Sequence, residues 1–163
     1  MSVTTIPTAG IADNAVTIAK ATGFGKIAQI VQSTTSTGVN TTSSSYQDLL
    51  SLNITPSATS SKIFLMASIP FRKRDSGQAD NAGGARITKA GSVLLEWGRY
   101  LAWNNNQEPY TQETGTMNYL DSPNTTSELE FKLQYRSMVG PSGSVGVCHD
   151  SSWASFTAME VLA

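Results

Sequence analysis

The most regular alternation of apolar and polar residues lies at residues 128–136, which read ELEFKLQYR. Every second residue from Leu129 to Tyr135 is apolar, and the residues between them are charged or polar. Because successive side chains of a β-strand point to opposite faces, this spacing predicts a strand with one buried face and one solvated face.

Short apolar or alternating runs continue from Lys26 to the end of the chain, separated by turn-forming residues. This arrangement is typical of β-sandwiches and β-barrels. About eight strands are predicted, with a short ninth at 145–148. The eight lie at residues 27–32, 47–54, 62–71, 85–89, 92–97, 116–120, 128–136 and 155–162. We therefore expect an all-β fold, an antiparallel, jelly-roll-like β-sandwich.

Residues 63–67 (IFLMA) are apolar at consecutive positions, so both faces of this strand are apolar. A strand of this kind either lies in the middle of a sheet or has its second face covered by another subunit. Both alternatives are open at this point.

Two connections between strands are predicted from their turn residues. Ala90-Gly91 separates two strand-like runs, and glycine tolerates the positive φ of a tight turn, so residues 87–95 should form a hairpin. Residues 72–84 contain several glycines and no apolar period, which predicts a long surface loop.

Residues 6–20 differ from the rest of the chain, being small and apolar with partly helical spacing. Two or three helical turns are marginal alone in water, so this segment needs a partner: its own domain, sister chains or another protein. Gly23 and Gly25 then mark a bend. We divide the chain into an attachment segment, 1–25, and a β-sandwich domain, 26–163. The candidate attachment residues are Ile6, Ile11, Ala15, Val16 and Ile18.

Composition excludes several classes of partner. Charged residues make up 14% of the chain and the net charge is -1, so no basic surface for nucleic acid or an anionic membrane is expected. No apolar run of 18 residues and no signal-peptide pattern occur, which predicts synthesis in the cytoplasm without export or membrane insertion.

The residues that could carry chemistry do not form a catalytic or metal-binding pattern. Cys148, His149 and Asp150 are adjacent, and adjacent residues on an extended chain cannot form a relay. His149 is the only histidine and is expected in a loop or at a strand end, where it could bond across an interface. Asp75, Asp80 and Asn81 match no standard calcium loop. We predict no enzymatic activity, no bound metal and no cofactor.

The aromatic tract at residues 97–110 is the best candidate for recognition in the sequence. Flat aromatic rings beside amides and charges suit sugar stacking, although the same rings could complete the core or pack between subunits. The candidate residues are Trp97, Arg99, Tyr100, Trp103, Asn104 and Tyr110.

Several segments resemble a known family. Residues 10–20 (GIADNAVTIAK) resemble the shaft repeats of phage tail-fibre proteins, notably of phages that infect marine bacteria and cyanobacteria. Residues 31–35, 46–52 and 54–63 are similar to the opening of the fibre-tip domains that follow such shafts. Residues 156–163 resemble the C-terminal strand of those domains.

The resemblance implies a structural protein of the virion. It would be a homotrimeric tail-fibre or knob protein, anchored by its N-terminal segment to a tail hub, tail adaptor or capsid protein, and contacting a bacterial surface glycan. Such fibres are usually several hundred residues long, whereas one shaft-like repeat is present here. An alternative is therefore a capsid decoration or cement protein that docks on the shell as a trimer.

Overall fold

The structure is a computed structural model that describes residues 26–73, 81–104, 111–138 and 144–162; for Asn81 and residues 98–104 it describes the backbone only. These parts of the chain form ten β-strands. The strands are β1 (Lys26–Thr35), β2 (Val39–Thr41), β3 (Gln47–Ile54), β4 (Lys62–Lys73), β5 (Asn81–Lys89), β6 (Ser92–Asn104), β7 (Thr111–Asp121), β8 (Leu129–Ser137), β9 (Val145–Val147) and β10 (Ala154–Leu162).

The strands form two antiparallel sheets. In sheet 1 the order is β1-β10-β4, with β7 on the other side of β4 and the short strands β9 and β2 continuing beyond one end of β10. In sheet 2 the order is β3-β8-β5-β6. The eight long strands thus pair as β1 with β10, β3 with β8, β4 with β7, and β5 with β6. This nested pairing is a long hairpin rolled into two sheets, the jelly-roll arrangement.

The tip of this rolled hairpin is the turn between β5 and β6. Ala90 has φ 46° and Gly91 has φ 84°, both in the left-handed region. Positive φ at both central residues defines the turn whose twist matches the flanking strands. The predicted Ala90-Gly91 hairpin is confirmed.

The core lies between the two sheets and follows the alternation of the strands. In β8, Phe131, Leu133 and Tyr135 are buried, whereas the residues between them are partly exposed. Sheet 1 contributes Ile63, Leu65, Ala67, Ile69 and Phe71 from β4, and Phe156 and Ala158 from β10.

The predicted fold class is confirmed, with ten strands rather than about eight. Each of the eight predicted strands overlaps an observed one, and the short ninth corresponds to β9. The three-residue strand β2 was not predicted. Its sequence, Val39-Asn40-Thr41, is too short and polar to show a period. β4 occupies a central position in sheet 1, as the first alternative predicted, but its outer face remains partly exposed, with Met66 at 40%, so cover by another subunit stays a prediction.

The prediction of a surface loop at residues 72–84 is wrong at both ends. Arg72 and Lys73 are buried residues of β4, and β5 begins at Asn81. Gly83 lies in β5 directly against the Phe71 ring. A Cβ at this position would clash with the ring, so a glycine here serves packing rather than a turn. The attachment segment 1–25, including the bend predicted at Gly23 and Gly25, lies outside the described residues, as do Asp75 and Asp80.

Candidate functional site

The turn between β9 and β10 contains three of the five non-glycine residues that have positive φ in the described part of the chain. Cys148, Asp150 and Ser151 have φ values of 58°, 57° and 63°. In residues with a Cβ, this backbone conformation costs roughly 1 kcal/mol or more, so contacts with the surrounding structure must stabilise it. The Cys148 amide donates to the Pro70 carbonyl at 3.2 Å, and the Ser152 amide donates to the His149 carbonyl at 3.1 Å.

His149 is fixed at the centre of this turn. Its ring lies against two glycines: a Cβ at Gly146 would come within 2.6 Å of the ring, and one at Gly38 within 3.0 Å. Nε2 of His149 lies 3.0 Å from Oδ1 of Asn40, which belongs to β2. The prediction of a histidine near a strand end fits this position, and its partner is in the same chain.

A polar cluster lies next to His149. Arg72 Nη1 donates to Oδ2 of Asp150 at 3.2 Å, and Gln112 Nε2 donates to the same oxygen at 2.6 Å. The Arg72 side chain is 9% exposed, whereas that of Asp150 is 63% exposed. Arg72 Nε is buried and has no hydrogen-bond acceptor among the described residues. The cluster therefore offers both an unused donor and a solvent-facing carboxylate.

Two cavities flank His149. The smaller, of about 250 Å³, is lined mainly by polar side chains, and the larger, of about 460 Å³, lies against the turn itself. The polar residues of the smaller cavity are Arg72, Gln112, Glu113, Thr114, His149 and Ser152. The larger cavity is lined by Ser36, His149, Asp150, Ser151 and Trp153, with Gly38 and Cys148. Trp153 is 62% exposed, the most exposed large apolar side chain of the described residues.

The three adjacent residues Cys148, His149 and Asp150 do not act together here. Burial raises the pKa of the Cys148 thiol, which belongs to the hydrophobic core. His149 contacts Asn40, and Asp150 contacts Arg72 and Gln112. Among the residues that the structure describes, no three His, Cys, Asp or Glu side chains are grouped so as to hold a metal ion.

The residues predicted for recognition are only partly described. Trp97 is half-buried and packs against the core. Arg99, Tyr100, Trp103 and Asn104 belong to β6, where the backbone alone is described, and Tyr110 lies outside the described residues. The attachment residues Ile6, Ile11, Ala15, Val16 and Ile18 also lie outside them. Sequence reasoning missed Trp153, although an isolated tryptophan directly after Asp150-Ser151-Ser152 indicates an aromatic ring at a turn.

The outer side of sheet 1 carries a second feature, an apolar stripe. Ile30 pairs with Met159, Met159 with Phe64, and Phe64 with Leu120. Residues directly opposite in neighbouring strands share a face, so these four form one row across four strands. We call this surface the apolar face; it consists of Ile27, Ile30, Phe64, Met66, Leu120, Met159 and Val161. Ile27 and Ile30 are 55% and 58% exposed, and Leu120 is 50% exposed.

The outer side of sheet 2 has the opposite character. The guanidinium groups of Arg86 and Arg136 lie over the Tyr46 ring, at 4.0 and 4.4 Å from its centroid. Its hydroxyl donates to Glu96 at 2.9 Å, and burial together with this bond raises the pKa of Tyr46 to about 12. Lys132 contacts Asp48 at 2.9 Å on the same side. The charged and polar side chains of this outer surface suit contact with solvent.

No family model matches the chain, and no curated protein matches it. Among solved structures, similar chains include the particle described as infectious bursal virus derived T=1 particles, with 17% identity and a TM-score of 0.41. Another is the infectious bursal disease virus VP2 subviral particle, with 14% identity and a TM-score of 0.43. The two matches span 84% and 83% of this chain, but 37% and 38% of the viral chains.

The described strands and turns include no helix long and apolar enough to cross a membrane.

Proposed function

We propose that the protein is a non-enzymatic structural component of a bacteriophage particle that associates as a homotrimer through the apolar face of sheet 1. The observation that carries this proposal is the contrast between the two outer surfaces of one sandwich. Sheet 2 presents paired charges and sheet 1 presents a continuous apolar row.

The apolar face favours a partner of the same character. Burying a half-exposed isoleucine or leucine contributes roughly 1 kcal/mol, so several such side chains on each of three copies give a substantial driving force. Among the described residues that pair with members of the apolar face, Lys62, opposite Val161 at one end, has the one ionisable side chain, so the face offers almost no charge to a strongly charged partner. A second copy of the chain carries the same apolar face and can cover it.

We infer the number of chains in the assembly and its place on the virion from the resemblance of residues 10–20 to fibre shaft repeats. That resemblance implies a trimer. In the tail-fibre form, the segment 1–25 anchors the trimer to a tail hub or adaptor. In the alternative, a decoration protein, it docks on the capsid. Copy number in purified particles separates the two: a few trimers indicate the tail, and hundreds of copies indicate the shell.

The test of trimerisation is the mass of the purified chain in solution, measured by light scattering. We expect three copies of the 17.3 kDa chain. Ile30→Lys places a charge at the β1 end of the apolar row, on a side chain that is 58% exposed, and should give monomers. The matched control is Val93→Lys, because Val93 is 47% exposed on sheet 2 and should leave the trimer intact. A wild-type monomer at micromolar concentration would contradict the proposal.

A further inference from the structure

We propose that the two cavities beside His149, with Trp153, form a binding site for an uncharged saccharide. This inference goes beyond the proposed function and needs neither trimerisation nor a position on the tail. It concerns a different site from the aromatic tract at residues 97–110. It rests on three observations: an exposed indole, a mixed lining of polar groups and a turn anchored by contacts within the chain.

Trp153 provides the flat surface. A tryptophan that is 62% exposed contributes little to the core and leaves an aromatic face open to a ligand. The larger cavity next to it, about 460 Å³, falls within the range of roughly 300–1,000 Å³ typical of small-molecule sites. One face of a sugar ring is made of C–H groups, which suit an aromatic surface of this kind.

The polar residues match the hydroxyl groups of such a ring. Asp150 is an acceptor with a side chain that is 63% exposed, and Ser36 and Ser151 can donate or accept. In the smaller cavity, Gln112, Thr114 and Ser152 add amide and hydroxyl groups. Donors and acceptors are mixed, as a polyhydroxylated ligand requires.

The charges of the site argue against an anion. The Arg72 guanidinium is already paired with Asp150, whose side chain is 63% exposed. A phosphate or a carboxylated sugar would meet this exposed carboxylate and a cation that is already paired. An uncharged saccharide meets no such repulsion.

The turn that frames the site is anchored by contacts within the chain. Three residues of the turn are held at positive φ, and the His149 ring lies against Gly38 and Gly146. A site held in its bound conformation loses less entropy on binding. Arg72 also lies eight residues along β4 from Phe64, roughly 26 Å at 3.3 Å per residue, so a trimer contact at the apolar row leaves the cavities open.

The experiment is saturation-transfer NMR followed by calorimetry on the full chain. The probes are glucose, galactose, mannose, rhamnose and N-acetylglucosamine, with sialic acid and inorganic phosphate as charged probes. We expect at least one uncharged sugar to bind. Trp153→Ala and Asp150→Asn should each weaken that binding at least tenfold.

Matched controls separate this site from other parts of the molecule. Val93→Lys alters an exposed residue of sheet 2, and Ile30→Lys alters the apolar face; both should bind the sugar like the wild type. Thermal unfolding of each variant checks that it is folded. No binding of any uncharged sugar at millimolar concentration, binding of charged probes alone, or binding that survives both Trp153→Ala and Asp150→Asn would each overturn the proposal. Because Ile30→Lys is tested for binding directly, failure of the trimer and failure of the saccharide site are distinguishable.

Discussion

At the scale of single residues, the most unusual environment is that of Glu160, a carboxylate with no solvent exposure on the core side of β10. Burial raises its pKa, but hydrogen bonds to the ionised form outweigh this effect. The amide and hydroxyl of Ser57 both donate to Oε1 at 2.6 Å, and Gln29 Nε2 donates to Oε2 at 2.7 Å. Together they hold the pKa of Glu160 at about 2, below its ordinary value of 4.5.

This lowered pKa predicts a specific loss of stability in acid. Because the folded-state pKa lies below that of the unfolded chain, the carboxylate stabilises the fold above about pH 4.5, and this contribution declines as the pH falls towards 2. Glu160→Gln should lower the free energy of unfolding at pH 7 by on the order of 3 kcal/mol, and by less at pH 3. Denaturant unfolding at both pH values measures this.

The matched control is Glu128→Gln, because Glu128 is exposed just before β8. It should change the free energy of unfolding little at either pH. Equal destabilisation by Glu160→Gln at pH 7 and pH 3 would show that the ionised carboxylate is not the stabilising form.

Glu160 also shows why residue-level features were hard to predict. The strand 155–162 was predicted from its alternation, and that alternation places Glu160 with Phe156 and Ala158 on the inner face. The buried carboxylate is stable only because Gln29 and Ser57 approach it, 131 and 103 residues away in the chain. No local pattern indicates such donors. The same holds for Trp153, whose importance depends on cavities that several strands build.

At the scale of elements, short apolar or alternating runs predicted the long strands, because each strand turns at least one apolar face towards the core. This pattern failed where polar or glycine residues are buried. Arg72 reads as a loop residue, yet it lies in β4 and contacts Asp150, 78 residues away. Gly83 reads as a turn residue, yet it provides room for Phe71. The predicted loop at 72–84 was wrong at both ends for this reason.

The two sheets are also joined by an ion pair at the ends of β5 and β7. Lys89 Nζ contacts Oδ1 and Oδ2 of Asp121 at 2.8 and 2.7 Å, and the Asp121 side chain is 7% exposed. Asp121→Asn leaves the Lys89 ammonium partly buried without its counter-charge. We expect the free energy of unfolding to fall by about 1 to 3 kcal/mol, measured by denaturant unfolding at pH 7.

The matched control for this ion pair is Asp48→Asn, which makes the same chemical change in an exposed pair with Lys132. Exposed pairs contribute at most about 1 kcal/mol, so this variant should unfold much like the wild type. If the two variants are equally stable, the pair between the sheets contributes no more than a surface pair.

At the scale of the whole molecule, composition and periodicity predicted an all-β sandwich, and the nested strand pairs confirm it. They could not show which outer surface is apolar and which is charged, because strand 63–67 alone did not reveal the register of its neighbours. Only the pairing of Ile30, Met159, Phe64 and Leu120 into one row reveals the apolar face. The trimer prediction therefore gains a definite surface.

If three folded copies associate through that surface, stability must depend on concentration. Association that occurs in the folded state alone stabilises it by mass action, so the Tm of the wild type should rise as protein concentration increases. Ile30→Lys removes the association, and its Tm should be lower and independent of concentration. Calorimetry over a hundredfold range of concentration measures both. Val93→Lys, on the other sheet, should keep the concentration dependence; a wild-type Tm that does not change with concentration would mean that the apolar face does not couple association to folding.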